Sequence, residues 1–177
     1  MKSHEFFEKL LEKGSIESVK KDNPSLDDSQ IKVFFEEAIE KLKNHQDIYE
    51  MFVDGASSSN PGKAGIGVVI KKNGVVVDKI SEFIGIATNN VAEYSALIRG
   101  LKRLKELGVK KVNVFSDSEL VVKQLKGIYR VKDKNLKTLY NEVLRLSNKF
   151  EYLNIEHIKR DKNSMADTLA KTAISRN

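Results

Sequence analysis

The sequence predicts an α/β fold in which a five-stranded mixed sheet is flanked by helices, preceded by a small all-helical appendage. Three observations predict it. Residues 1–46 carry only the helical period of hydrophobicity. From Ile48 the texture becomes that of strands, with an Asn-Gly hairpin signal. Beyond residue 88, helical and strand patterns alternate. The expected units are therefore a helical appendage over 1–46 and an α/β domain over 47–177.

In the appendage, Phe6, Phe7, Leu10 and Leu11 form one stripe, and Ile16 with Val19 suits a short helical turn. Asn23-Pro24 breaks the pattern, and Ser25 with Asp28 resembles a capping box opening a longer helix. In that helix Ile31, Phe34, Phe35, Ala38, Ile39 and Leu42 share one apolar face, read as internal core rather than a partner groove. So small a unit is hard to stabilise alone, and no Gly/Ser/Pro-rich linker follows, so it is expected to pack on the main domain.

The main domain starts with a strand, Ile48–Val53, running to Asp54. Strands over Ile66–Lys71 and Val75–Ile84 flank the turn Lys72-Asn73-Gly74. A helix over Asn89–Leu107 stops at Gly108. A short strand, Val112–Phe115, ends at Ser116-Asp117. Two helices follow, over Glu119–Lys126 and Asn135–Lys149, separated by Gly127. Leu153–Ile158 is the last strand and Ser164–Ile174 the last helix.

No apolar run approaches membrane-spanning length, and the charged N-terminus lacks a signal-peptide stretch. The absence of cysteine excludes disulfides and cysteine-based zinc sites and fits a cytoplasmic location. The net charge of +6 is unevenly shared. Residues 1–47 hold 8 basic against 11 acidic residues, whereas residues 48–177 hold 23 against 14. A basic surface around an acidic site suits a polyanion held by its backbone.

Four segments each supply one carboxylate. They are V-D-G-A-S-S-S-N-P-G with Asp54, T-N-N-V-A-E-Y with Glu93, V-F-S-D-S-E with Asp117, and N-S-M-A-D-T-L-A with Asp167. Singly they read as a turn aspartate, a helix-dipole glutamate, an N-cap and a surface residue. Jointly they read as a carboxylate cluster, which is costly unless cations neutralise it, and so as a Mg²⁺ site acting on phosphate esters. Gly55 lets the backbone come close to a bound phosphate.

Residues 48–175 resemble type 1 ribonuclease H, nearer the compact archaeal-like and reverse-transcriptase-associated form than the enterobacterial one. The strings D-G-x-x-x-x-N-P-G, T-N-N-x-A-E, S-D-S and N-x-x-A-D-x-L-A carry the resemblance in order. It implies a ribonuclease H-like fold and an endoribonuclease cutting the RNA strand of RNA–DNA hybrids, leaving 5′-phosphate and 3′-hydroxyl ends. Asp54, Glu93, Asp117 and Asp167 take the places of the family's metal ligands. Two Mg²⁺ ions (Mn²⁺ as substitute) about 3.5–4 Å apart are implied, with Asp54 bridging them. Gly55, Asn60, Asn90 and Glu93 match residues that lie against the RNA strand; Thr88 and Asn89 match residues against the DNA strand.

The alternatives are a non-catalytic nucleic-acid-binding relative and a metal nuclease or integrase with another substrate. Retention of all four acids counts against the first; the N-P-G and T-N-N strings count against the second. Glu119 stands where the family often has glutamine, and a carboxylate is poorly suited to a nearby phosphate. Lys123, Lys126, Arg130, Lys132, Lys134 and Lys137 form a reduced basic patch without tryptophan, readable as phosphate-binding or merely solvated. For assisting product or metal release, Arg160 is better placed than His157, which lies in a continuing strand; His4 and His45 belong to the appendage. The appendage is acidic, so it is expected not to bind nucleic acid but to stabilise the domain, dock a protein partner or mediate self-association.

Overall fold

The computed structural model describes residues 1–44 and 47–176; His45 lies outside them. The chain divides into two compact units, Met1–Gln46 and Asp47–Asn177.

The first unit comprises helices α1 (Ser3–Lys13), α2 (Ile16–Asp22) and α3 (Asp28–Asn44). Gly14 closes α1 in the left-handed region at φ 73°, the conformation glycine adopts most cheaply. The α3 cap is Asp27, not Ser25: its Oδ1 accepts from the Gln30 backbone N–H at 2.7 Å. Phe6, Val19, Leu26 and Ile31 form the buried centre, with Phe7, Leu10, Ile16 and Phe34 packed around it.

The apolar stripe of α3 is only partly core. Ile31 is buried, whereas Ile39 is 48% and Leu42 74% exposed. The reason is length. At 1.5 Å per residue α3 extends about 25 Å and α1 only about 16 Å, so the far turns of α3 outrun their helical partner.

The second unit is built on strands β1 (Tyr49–Ser57), β2 (Gly62–Lys72), β3 (Val75–Ala87), β4 (Lys111–Ser116) and β5 (Tyr152–His157), in the sheet order β3-β2-β1-β4-β5. The first three pair antiparallel, and β4 and β5 add in parallel, giving the mixed sheet the sequence predicts. Asn73 and Gly74, at φ 52° and 80°, make the turn between β2 and β3, as an Asn-Gly hairpin requires.

Helices α4 (Asn89–Glu106), α5 (Glu119–Leu125), α6 (Lys134–Ser147) and α7 (Ser164–Ser175) complete the domain, with a 3₁₀ turn at Arg160–Asn163 that the sequence pattern does not signal. Leu97, Leu101 and Leu104 of α4 enter one buried cluster with Met51 and Val53 of β1, Val112 and Val114 of β4, and Val143 and Leu146 of α6. Among the described residues no helix is long and apolar enough to cross a membrane.

β1 does not end at Asp54. Its ladder with β2 continues through Gly55 to Ser57, paired with Ala64. What stops there is the parallel ladder with β4, whose last pair is Val53 with Ser116. Asp54 and Asp117 are therefore the next residues on two neighbouring strands where their pairing ends. That crevice at the carboxyl ends of parallel strands is where α/β sheets take ligands.

Candidate active site

Two close approaches bring the remaining acids to this crevice. A side chain on Gly55 would collide with the backbone of Ala92 and Glu93, so glycine lets the start of α4 press against β1. Side chains on Gly65 and Gly67 would collide with Ala170 and Ala166, so two glycines of β2 admit α7 along its small-residue face. The first contact delivers Glu93 and the second Asp167. Gly55 thus serves helix packing, because the space beside its Cα is filled by α4.

Asp54 and Glu93 are only 5% and 6% exposed. Burial, and then the charges of Asp117 and Asp167, push the Asp54 carboxyl up to about 7, although Arg160 pulls the other way. Burial, and then Asp54 and Asp117, push Glu93 up to about 9, against a hydrogen bond from the Gly55 backbone. Glu93 Oε2 is buried without a partner among the described residues. Asp117 is not the N-cap of α5; Ser118 holds that place, which leaves the Asp117 carboxylate turned to the site.

Asp167 behaves differently. Burial raises its carboxyl, but Lys171 and Arg160 together hold it below the usual range. Lys171 Nζ donates to Oδ2 at 2.6 Å and Arg160 Nη2 to Oδ1 at 2.7 Å. With Asp167 drawn onto these cations, no three His, Asp or Glu side chains among the described residues converge as a ready-made cation cage. The chemistry of the donors nonetheless fits a hard divalent ion. Burial and then neighbouring acids raise two carboxyls, Asp54 beside Asp117 and Asp167 and Glu93 beside Asp54 and Asp117, and a buried carboxylate oxygen has no donor.

Asn163 is a site residue that the sequence reading used only as a spacing marker. It is 1% exposed, and its Nδ2 donates both to the Val53 carbonyl at 2.9 Å and to Asp117 Oδ1 at 2.8 Å. It thus ties the end of the 3₁₀ turn to β1 and orients Asp117. Its signal was present as the first residue of N-x-x-A-D, but a single asparagine has too many ordinary uses to be singled out.

The rim is formed at the start of α4. Thr88 Oγ1 caps the helix by accepting from the Val91 N–H at 3.3 Å, and Asn60 Oδ1 accepts from the Asn89 N–H at 3.2 Å. The side chains of Asn60 and Thr88 are therefore engaged in capping. Those of Asn89 and Asn90 have no hydrogen-bond partner among the described residues. On the other flank, Glu119 pairs with Lys123 at 2.7 Å, which neutralises the carboxylate the sequence marked as unfavourable near phosphate. Lys123 also lies 5.1 Å from the Tyr129 ring centre.

His157 ends β5 and is exposed in an open cleft with Glu119, Lys123 and Lys126, and its charge acts on Glu119. Arg160 acts instead on Asp54, Glu93 and Asp167. Of the basic patch, Lys126, Arg130, Lys132, Lys134 and Lys137 are exposed and have no ion pair among the described residues.

Residues 52–173 match the reverse transcriptase-like family. A ribonuclease H of Thermoanaerobacter sp. (strain X514) is 34% identical over 151 residues, covering 77% of this chain and 96% of that protein. The chain belongs to the ribonuclease H family. A bifunctional protein of Mycobacterium tuberculosis is 42% identical over 123 residues, 68% of this chain but 34% of the relative, so the chain spans about a third of that curated relative's length. LC11-RNase H1, solved in complex with an RNA/DNA hybrid, shares 41% identity at a TM-score of 0.69, covering 72% of this chain and 97% of the other. The family match lies wholly within the second unit, so the ribonuclease H features reside there.

Proposed function

We propose that the chain is an endoribonuclease that hydrolyses the RNA strand of RNA–DNA hybrids and leaves 5′-phosphate and 3′-hydroxyl ends. The observation that carries this reading is the gathering of Asp54, Glu93, Asp117 and Asp167 where β1 and β4 part, with Asp54 and Glu93 raised by burial and then by the neighbouring acids. Asp54, Glu93, Asp117 and Asp167 would hold two Mg²⁺ ions (or Mn²⁺), which would supply Lewis acidity toward water and the scissile phosphate.

The chain's own groups do the rest. Asn163 keeps the Asp117 carboxylate facing the site, and the Gly55 N–H keeps Glu93 in place. Asn89 and Asn90 present amides that both donate and accept, suited to ribose 2′-hydroxyls and base edges in a shallow minor groove. Asn60 and Thr88 hold that rim by capping α4. The 2.7 Å contact with Asp167 supports Arg160 as the side chain that assists release, ahead of His157, which lies beside Glu119. The unpaired lysines after α5 hold the backbone of the second strand by charge.

We assign residues 1–46 a protein contact or self-association rather than nucleic-acid binding, on the exposed Ile39 and Leu42 and the acidic balance of the segment. A cytoplasmic location fits the cysteine-free composition.

The test is cleavage of an end-labelled RNA–DNA hybrid with Mg²⁺ by wild type and by Asp117→Asn. Cutting of the RNA strand by wild type alone supports the reading. Equal cutting by both would refute it, and no cutting by either would refute it and favour a binding protein.

A further inference from the structure

We propose that Lys171 is a resident counter-cation of the site, holding Asp167 in the cation-free protein and competing with the divalent ion for it. The proposal rests on the metal-binding reading of the four carboxylates and adds a residue that sets how tightly they bind.

The geometry is asymmetric. Arg160 occupies Oδ1 of Asp167 at 2.7 Å and Lys171 occupies Oδ2 at 2.6 Å, so both oxygens are engaged. Among the described residues, Asp54, Glu93 and Asp117 carry no ion pair. Two positive charges thus sit on one acid of the four. An ion that takes Asp167 as a ligand has to share or displace one of these contacts.

Lys171 is the contact that yields. It lies one turn along α7 from Asp167, in the orientation that favours an acid–base pair on a helix. The acid end is the fixed one, with the Asp167 side chain 15% exposed; Arg160 at 71% and Lys171 at 57% both reach water, so chemistry rather than exposure singles out Lys171. Its ammonium is a hydrated point charge on a flexible stem, whereas the Arg160 guanidinium is a planar fork set by the 3₁₀ turn. The lysine therefore keeps the cluster compensated when empty and lowers its divalent affinity.

The experiment is calorimetric titration of Mn²⁺ into the full chain without nucleic acid. Lys171→Met keeps the apolar stem, removes the charge, and is expected to bind about three- to tenfold tighter than wild type. Lys171→Arg keeps the charge and is expected to bind no tighter than wild type. In an Asp167→Asn background, Lys171→Met is expected to change the dissociation constant less than about twofold, because the contested oxygen is altered.

Unchanged or weaker binding by Lys171→Met would overturn the proposal. So would equal tightening with Asp167→Asn present, since Lys171 would then act as a distant charge. Absence of Mn²⁺ binding in both proteins would overturn it as well, because nothing would compete. Hybrid cleavage by wild type, run alongside, separates the two readings. A failed competition with intact cleavage removes the lysine's role alone, and intact competition without cleavage removes the proposed activity alone.

Discussion

The two units of this chain solve opposite problems. Residues 1–44 have too little apolar mass for their surface: a four-residue centre around Phe6 is all they bury, and the far turns of α3 stay open. Residues 47–176 have an ample core and use it to hold groups that oppose folding, two buried carboxyls with raised proton affinity. In the first unit sequence is devoted to staying folded. In the second, surplus stability supports a site that is unfavourable until something cationic fills it.

Three substitutions and one deletion probe that contrast. Phe6→Ala should cost the helical unit about 3–5 kcal/mol, because the fully buried ring packs on Phe7, Phe34 and Phe35. Chemical denaturation should then show the first unit lost at far lower urea, with the second unit's transition unchanged. Gly67→Ala should cost the second unit about 1–3 kcal/mol, since the new methyl meets the α7 backbone at Ala166 and Ala170. It should also depress cleavage more than stability alone explains, because α7 carries Asp167.

Glu93→Gln should stabilise the cation-free protein by about 1–3 kcal/mol at pH 8, measured by urea denaturation with chelator present. The sign follows from the raised carboxyls. Between the unfolded values near 4 and the folded values of about 7 for Asp54 and about 9 for Glu93, the folded chain keeps protons that the unfolded chain has released. The stability contributed by these two groups is therefore fullest below about pH 4 and falls as pH rises through that window. The variant should flatten the upper part of the fall, and divalent cations should counter it in wild type. Smallest of all, deletion of residues 1–46 should change hybrid affinity less than about twofold, measured by fluorescence anisotropy. A large loss from a folded truncated protein would mean that the acidic unit takes part in binding.

Much of this was readable in the chain. Strand alternation, Asn73-Gly74, Gly108 and Gly127 located the elements because each acts locally, through the period of burial or through a backbone angle. The four acids stood out because each sits in a distinctive string. What could not be read depends on contacts between distant segments. Nothing local shows that Gly55 admits α4 into the space beside its Cα. Asp54 passed for a strand end because its β2 partners continue past it. Asn163 and Lys171 are ordinary until the fold sets one against Asp117 and the other on Asp167.

The most direct test of the whole account is product analysis of a doubly labelled RNA–DNA hybrid incubated with the full chain and Mg²⁺, beside Asp54→Asn. The account predicts RNA fragments with 5′-phosphate ends, an uncut DNA strand, and a rate lowered by about a thousandfold in the variant. RNA cut equally by Asp54→Asn, or no cutting by wild type, would contradict it.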